Sequence, residues 1–338
     1  MLCKQKNNKC IIIAEAGVNH NGNLDIAKKL CFAAKKAGAD VVKFQTWDTD
    51  KLITKNVKMA EYQQNNVRKS ESQYDMLKRL ELSKDEICEV KNYCDSIGIL
   101  FSSTADEKDS LDFLINLGIP FIKIGSGDIG NVSYLRYIGT KKLPIILSTG
   151  MSTLADVDLS LRALRQGGAK DITLLHCTTN YPCAYNEVNL QAMNTLHNAF
   201  HIPVGYSDHT IGTEVSVSAV ALGARVIEKH FTLDRNMDGP DHVASTEPEE
   251  FKLMVQQIRN IEVALGDGVK RISSSEKNIK AVITKRIVAS KVIYENELFT
   301  EDNICVKRSM EGEVASMWDF VIGKRAIKSY EVDQGIEL

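Results

Sequence analysis

Eight short apolar segments in the first two thirds of the chain constrain its fold more than any other feature. Each has four or five apolar, often β-branched residues and ends at a polar residue or glycine. Segments that are apolar on both faces are typical of buried parallel strands. The eight segments are Ile11–Gly17, Ala39–Thr46, Gly98–Thr104, Phe121–Gly127, Pro144–Gly150, Ile172–Thr178, Pro203–His209 and Val226–Thr232.

Amphipathic segments separate these strands. Leu24–Ala37, for example, repeats apolar residues at helical spacing and ends before Gly38, a natural C-cap. Eight strand–helix units in about 250 residues predict an α/β protein with a closed (β/α)8 TIM barrel. The alternative is an open doubly wound sheet, which usually has fewer strands, and no GxGxxG motif follows the first strand.

The last quarter of the chain has a different pattern. Thr246 and Glu249 have the spacing of a capping box, and the apolar pattern after them predicts a helix over Glu249–Leu265. A serine-rich polar stretch and then short strand-like segments follow. We therefore predict a barrel domain over residues 1–266, a linker over 267–284 and a small, mostly β domain over 285–338.

Composition excludes several classes of function. The 42 Lys+Arg and 44 Asp+Glu give a net charge of −2, which argues against a large nucleic-acid-binding surface. The N-terminal residues lack an apolar secretion signal and no run is long enough to cross a membrane, so we expect a cytoplasmic protein without a membrane partner. Eight cysteines without a CxxC pair predict reduced, structural thiols.

Ionisable and hydroxyl side chains follow the predicted strands. In a barrel these strand ends converge on one mouth, where barrel enzymes carry their active sites. Buried Lys and Glu are costly unless they are paired or bound to a ligand, so the pattern favours a functional site. Ion pairing of the lysines with Glu15 inside the barrel is the structural alternative. The strand-end residues are Glu15, Lys43, Gln45, Thr104, Lys123, Ser126, Ser148, Thr178, Ser207, His209 and His230.

Two kinds of ligand are suggested by these residues. His209 and His230 end neighbouring strands, which lie about 4.8 Å apart, so the two imidazoles can share one metal ion. Hydrogen-bonded core histidines are the alternative. Two lysines, three serines and the glycines of GSG and STG suit a phosphate group. The residues therefore indicate a phosphorylated anionic substrate and metal-assisted chemistry, without naming the reaction.

Ordered motifs over about residues 11–250 resemble those of the sialic acid synthase family. The tail segments KRIVAS and ICVKR resemble that family's C-terminal antifreeze-like (SAF) domain. The matching barrel motifs are AEAGVNHNG, VVKFQT, KIGSGD, ILSTGM, LLHCTTNYP, GYSDHT, EKHFTLD and GPDHVAS.

The resemblance implies an enzyme that condenses phosphoenolpyruvate with an N-acyl amino sugar and releases phosphate. It implies catalytic roles for Glu15, His209 and His230, with Mn²⁺ or Mg²⁺ held by the two histidines. Arg308 would reach the neighbouring subunit's site in a domain-swapped homodimer. The phosphoenolpyruvate-binding residues would be Lys43, Thr104, Lys123, Ser126, Ser148 and Ser207. The sugar-binding residues would be Gln45, Asn66, Asp128, Tyr181, Asp241 and Arg308, besides Glu15.

The sequence departs from the family pattern near the sugar. The family's KRP-G segment reads KRSMEG here, around Arg308, and Asp128 stands where many members have glutamate. We expect N-acetylmannosamine as the sugar, which would make the product N-acetylneuraminate. The alternative is the 2,4-diacetamido-2,4,6-trideoxymannose of legionaminic acid synthesis, because sequence alone does not show the pocket walls that decide between them.

Two other classes of function compete with a synthase. A Schiff-base aldolase would use Lys43 or Lys123 as a covalent amine. A non-catalytic sugar-binding protein would need neither the histidine pair nor both lysines. Borohydride trapping with pyruvate and sensitivity to EDTA distinguish these classes.

Overall fold

The computed structural model describes residues 9–59 and 71–338. The chain divides into two compact units, Met1–Gly266 and Asp267–Leu338. In the described part of the chain, no helix combines the length and apolar character needed to span a bilayer.

Eight parallel strands close into a barrel in the first unit, as the sequence predicts. The first strand pairs with both the second and the eighth, which completes the ring. Five predicted segments extend one to three residues beyond the strand, into the loop that carries the polar groups. The strands are β1 Ile11–Gly17, β2 Val41–Thr46, β3 Leu100–Ala105, β4 Ile122–Ile124, β5 Ile145–Ser148, β6 Ile172–His176, β7 Val204–Asp208 and β8 Val226–His230.

Helices surround this barrel, and local signals set their ends. The Asn23 side chain accepts a hydrogen bond from the Ile26 N–H at the start of the first helix, which ends at Gly38 with φ of 88°. The helices are α1 Leu24–Ala37, α2 Thr49–Leu52, α3 Gln73–Leu80, α4 Lys84–Ile97, α5 Lys108–Leu117, α6 Val132–Gly139, α7 Leu154–Gly167, α8 Ala192–Phe200, α9 Glu214–Ala221 and α10 Pro248–Ala264.

The predicted capping box at the start of α10 is wrong. The N-cap residue is Glu247, and it makes no side-chain cap hydrogen bond. Thr246 instead pairs beside β8: its N–H donates to the His230 carbonyl at 2.8 Å, and its carbonyl accepts from the Thr232 N–H at 3.0 Å. Thr246 thus pairs with the backbone beside β8, whereas the local sequence pattern assigns it to the start of the helix.

Side chains alternate in direction along each strand, so the buried apolar residues form two layers. One lies between the strands and the helices, and a smaller one fills the barrel interior. Because successive strand residues point to opposite sides, the inward positions at the strand ends face the barrel mouth. The interior layer consists of Ile11, Ile13, Val41, Phe121, Ile146, Leu175 and Val226.

The second unit has its own small core around two antiparallel strands, β9 Lys285–Ala289 and β10 Ile304–Arg308. It also contains the helices α11 Ser274–Ile283 and α12 Trp318–Val321. Much of the stretch that the sequence suggests as a linker is therefore helical. A capping box between Ser273 and Glu276 starts that helix.

Candidate active site

A cavity of about 190 Å³ lies at the carboxyl ends of the barrel strands. Its lining includes ten of the fifteen residues that the sequence analysis assigns to the site. His209 and Asp241 lie beside it, against Tyr181 and His230. The ten are Glu15, Lys43, Gln45, Thr104, Lys123, Ser126, Ser148, Tyr181, Ser207 and His230.

A buried network of charges forms one wall of the cavity. Lys43 Nζ lies 2.6 Å from Glu15 Oε2 and donates to Thr104 Oγ1 at 2.9 Å. Lys123 Nζ lies 3.1 Å from Glu228 Oε1. The Lys43–Glu15 ion pair that the sequence suggests as a structural alternative is thus present, whereas Lys123 pairs with Glu228 and not with Glu15. The same side chains line the cavity. We call Glu15, Lys43, Lys123 and Glu228 the cavity network.

Electrostatics distinguish the two carboxyl groups of this network. Burial raises the pKa of Glu15, against the opposing effect of Lys43. Burial also disfavours the charged form of Glu228, but Lys123 and Lys43 outweigh it and lower its pKa to about 2. The pKa of Lys43 is raised, because Glu15 and Glu228 outweigh the effect of its burial. Lys43 is therefore an ammonium cation at neutral pH.

Three serines place hydroxyl groups around the same cavity. Ser148 Oγ is buried without a hydrogen-bond partner among the described residues. Ser126 Oγ accepts from the Gly150 N–H at 2.9 Å. A Cβ atom on Gly150 would lie 2.2 Å from Thr179 Oγ1, so only glycine permits this approach. Hydroxyl groups and two lysines in one cavity form a suitable cradle for a phosphate or carboxylate.

The two predicted metal-binding histidines lie together, with ring centroids 5.5 Å apart. His209 Nδ1 lies 2.6 Å from the Thr178 carbonyl oxygen, which makes Nδ1 the protonated nitrogen and leaves a lone pair on Nε2. His230 Nδ1 is buried without a hydrogen bond, and a carboxylate oxygen of Asp241 lies 3.7 Å away.

The protonation state of these two histidines suits the binding of a divalent cation. Burial lowers the pKa of His209, and burial together with His209 lowers that of His230 well below its usual value. Both rings are therefore neutral at physiological pH, as metal ligands must be. Over residues 9–59 and 71–338, no group of three or more His, Cys, Asp or Glu side chains could hold a metal ion. The pair supplies two ligands, and the cation stays a prediction.

The predicted sugar-binding residues occupy several positions around the cavity. Tyr181 packs its ring 4.2 Å from that of His209, and Gln45 Nε2 donates to Glu15 Oε1 at 2.9 Å. Burial, with a contribution from Glu15, raises the pKa of Asp241 to about 7. Asp128 accepts a hydrogen bond from Asn131 Nδ2 at 3.0 Å.

Two predicted residues lie apart from this group. Asn66 falls outside the described residues. Arg308 belongs to the second unit, where it is exposed at the end of β10.

Two acidic residues of the cavity were missed by the sequence analysis. Glu228 precedes the inward-facing His230 by two residues on β8, and Asp106 follows Thr104 by two residues at the end of β3. The strand period of two residues was the available signal, because it assigns both side chains to the inner face.

Comparison with known proteins identifies the family. Residues 30–270 match the model of the NeuB family. A Campylobacter jejuni protein named N,N'-diacetyllegionaminic acid synthase is 48% identical over 328 residues, 96% of this chain and 98% of that protein. A Legionella pneumophila protein with the same name is 46% identical over 320 residues, 94% of this chain and 90% of that one.

A solved structure agrees with these relatives. The N-acetylneuraminic acid (sialic acid) synthetase of Leptospira borgpetersenii, in complex with citrate, aligns with a TM-score of 0.72 and 32% identity, over 81% of this chain and 90% of that one. The resemblance in the sequence motifs is thus confirmed at the level of the family. The chain belongs to the NeuB family, which includes nonulosonic acid synthases.

Proposed function

We propose that this protein condenses phosphoenolpyruvate with 2,4-diacetamido-2,4,6-trideoxymannose to form N,N'-diacetyllegionaminic acid and phosphate. The choice of sugar rests on sequence identity. The chain is 46–48% identical to two proteins named N,N'-diacetyllegionaminic acid synthase and 32% identical to the sialic acid synthetase. This reverses the preference for N-acetylmannosamine drawn from the motifs alone.

The cavity network supports binding of phosphoenolpyruvate. Lys43 and Lys123 would offset the charge of its phosphate and carboxylate, and the hydroxyl groups of Thr104, Ser126, Ser148 and Ser207 would donate hydrogen bonds. The same lysines would stabilise the charge that develops on the departing phosphate. Lys43 and Lys123 would separate from Glu15 and Glu228 when substrate binds. The anionic groups of the substrate would then compensate the positive charges of the two lysines.

Glu15 would act at the carbon that carries the phosphate. C3 of phosphoenolpyruvate attacks the open-chain aldehyde, positive charge develops at C2, and water adds there. Loss of phosphate from C2 then leaves the keto acid. A carboxylate such as Glu15 would stabilise the positive charge and accept the proton of the added water. Its raised pKa suits that proton transfer.

A divalent cation, Mn²⁺ or Mg²⁺, is expected to complete the site. His209 and His230 would hold it, and it would supply Lewis-acid polarisation of the aldehyde. Gln45, Tyr181, Asp128 and Asp241 would surround the acylated sugar and keep it in one orientation.

The charge of Lys43 disfavours this lysine as the covalent amine of the Schiff-base alternative, and borohydride trapping with pyruvate tests Lys123. The raised pKa of Lys43 keeps its amine protonated, whereas a Schiff-base lysine needs a free amine. The sugar-binding alternative leaves the paired lysines and the neutral histidine pair without a role.

We also propose that the second unit is an SAF domain that takes part in a domain-swapped homodimer. Its helix α11 buries no residue and leaves Ile279 and Val282 53% and 63% exposed, an apolar surface that a second copy would cover. Arg308 is exposed in the same unit and would act in the partner's site. Light scattering coupled to size-exclusion chromatography tests this, and a monomer would contradict it.

Phosphate release tests the reaction. The chain is mixed with phosphoenolpyruvate, Mn²⁺ and either the diacetamido sugar or N-acetylmannosamine, with Glu15→Gln as the inactive control. We expect the diacetamido sugar to give at least tenfold higher kcat/KM. A preference for N-acetylmannosamine would overturn the choice of sugar, and no release with either sugar would overturn the reaction.

A further inference from the structure

Asp106 is an acidic residue of the cavity for which the described residues supply no ion pair. It continues the inward alternation of Ser102 and Thr104 on β3 and lines the cavity with Lys43 and Lys123. Among the described residues, no hydrogen bond or ion pair reaches its carboxyl group, whereas Glu15 and Glu228 are both paired with lysines. Its side chain is thus available to a ligand.

The backbone around Asp106 is held in place. The buried Tyr134 hydroxyl lies 2.8 Å from the Ala105 carbonyl oxygen and 3.3 Å from that of Glu107. Glu107 in turn caps α5 by accepting from the Ser110 N–H at 2.9 Å. Both neighbours of Asp106 are therefore fixed, which holds its backbone in place beside the cavity. Such preorganisation is typical of a binding residue.

The ionised form of Asp106 is unfavourable in this position. Burial, together with the nearby Asp128, raises its pKa to about 7. The Asp106 residue is only partly exposed, and withdrawal of a carboxyl group from water without a partner destabilises the fold when the group is charged. Residues of this kind are typical of functional sites, where stability is exchanged for activity.

The charge of Asp106 selects between the two substrates. Phosphoenolpyruvate is a multiple anion, and a carboxylate would repel it. The sugar is neutral and carries several O–H and N–H donors, which a carboxylate accepts well. Asp128 raises the pKa of Asp106 through its charge, so a second carboxyl group lies on the same side of the cavity.

We infer that Asp106 is a sugar-binding residue whose carboxyl group accepts hydrogen bonds from the hydroxyl or amide groups of the acylated amino sugar. This inference rests on the proposed condensation reaction. It assigns the Asp106 carboxyl group, just after β3, to the sugar and leaves Thr104, the lysines and the serines to phosphoenolpyruvate.

Separate KM values for the two substrates test the assignment. Asp106→Asn keeps the size of the side chain and removes its charge. We expect the KM for the sugar to rise about tenfold or more, the typical effect of losing a charged hydrogen bond, and the KM for phosphoenolpyruvate to change less than twofold. The variant should melt at or above the temperature of the wild type at pH 8, which a merely structural residue would not do.

Asp109→Asn is the matched control, because Asp109 is exposed at the start of the neighbouring helix and pairs with Lys51. It should leave both KM values unchanged. An unchanged KM for the sugar in Asp106→Asn, or a change confined to phosphoenolpyruvate, would overturn the inference.

Calorimetric titration of the sugar in the presence of phosphoenolpyruvate separates this test from that of the reaction. A wild type that binds the sugar without turnover contradicts the reaction, and a tenfold weaker affinity in Asp106→Asn then still supports the inference. A wild type that neither binds nor converts the sugar overturns both.

Discussion

Two buried lysine–carboxylate networks lie at the ends of the barrel strands, and they differ in what satisfies them. The cavity network faces inward and lines the cavity at the barrel mouth. The other network faces outward from β7 and β8, where Lys229 Nζ lies 2.9 Å from Asp208 Oδ2 and both residues are at most 1% exposed. We call Lys229 and Asp208 the sealed network.

Protein groups fill all the acceptor positions of the carboxylate in the sealed network. Lys229 also donates to the Thr210 carbonyl at 2.8 Å. Asp208 accepts from Ser216 Oγ at 2.6 Å and from the N–H and hydroxyl of Thr210 at 2.9 and 2.7 Å. Asp208 thus accepts four hydrogen bonds, one of them from Lys229, and both side chains are sealed from solvent, so these charges hold the ends of β7 and β8 together beside His209 and His230.

Burial alone therefore does not identify a functional lysine. Lys43, Lys123 and Lys229 are all buried and paired, and only those that line a cavity can exchange a carboxylate for a substrate anion. If this distinction holds, loss of a lysine from the cavity network lowers activity, and loss of the lysine from the sealed network lowers stability.

Loss of Lys123 should give the largest effect on activity. Lys123→Met removes the cation that we propose to face the phosphate, and we expect kcat/KM to fall by about a thousandfold or more, as for loss of a strong electrostatic contact in the transition state. Phosphate release measures the change, and thermal melting confirms that the variant is folded. A fall of less than tenfold would place Lys123 among structural ion pairs, like Lys229.

Loss of Lys229 should instead act on stability. Lys229→Met leaves the buried Asp208 charge without its cation, so we expect a loss of about 3–5 kcal/mol in the free energy of unfolding. Urea denaturation measures it. The double variant Asp208→Asn with Lys229→Met should recover part of the loss, because no charge then stays unpaired. A single variant as stable as the wild type would remove the distinction between the networks.

The next prediction concerns the affinity for a metal ion of His209 and His230, which lie beside both networks. His209→Asn removes one expected ligand, and we expect Mn²⁺ to bind about 100-fold more weakly in a titration followed by electron paramagnetic resonance. His197→Asn, at an exposed position on α8, is the control. Equal Mn²⁺ affinity in wild type and His209→Asn would contradict the proposed metal site.

The smallest effect concerns the unpaired carboxyl group of Asp106 and its dependence on pH. Its pKa is about 7 in the folded protein against an ordinary value of 3.8, so the wild type loses stability as pH rises between these values. Asp106→Asn lacks this loss. Its melting temperature should match that of the wild type near pH 4 and exceed it by about 2–4 °C at pH 8. A gain that does not grow with pH would contradict the raised pKa.

Much of the barrel could be predicted because strand and helix signals are local. Each apolar segment and the amphipathic helix after it appear in consecutive residues, and eight repetitions leave few other folds. The capping box at Thr246 failed because the same residue pairs with the backbone beside β8, a contact between chain segments that the local pattern does not contain.

The site was predicted in part for the same reason. Alternation along a strand is local, so Lys43, Lys123 and the histidines could be assigned to the mouth of the barrel. The choice of sugar depends on the shape of the pocket; the motifs favoured N-acetylmannosamine, whereas similarity over the whole chain supports the diacetamido sugar.

The sequence by itself determined the number of strands and which side chains face the barrel mouth, because the two-residue period of a strand needs no knowledge of its neighbours. The tertiary structure alone shows that Lys43 pairs with Glu15, that Lys123 pairs with Glu228 and that no group within residues 9–59 and 71–338 pairs with the Asp106 carboxyl group. Such pairings depend on the register between strands that are distant in the chain, which closure of the whole ring sets at once.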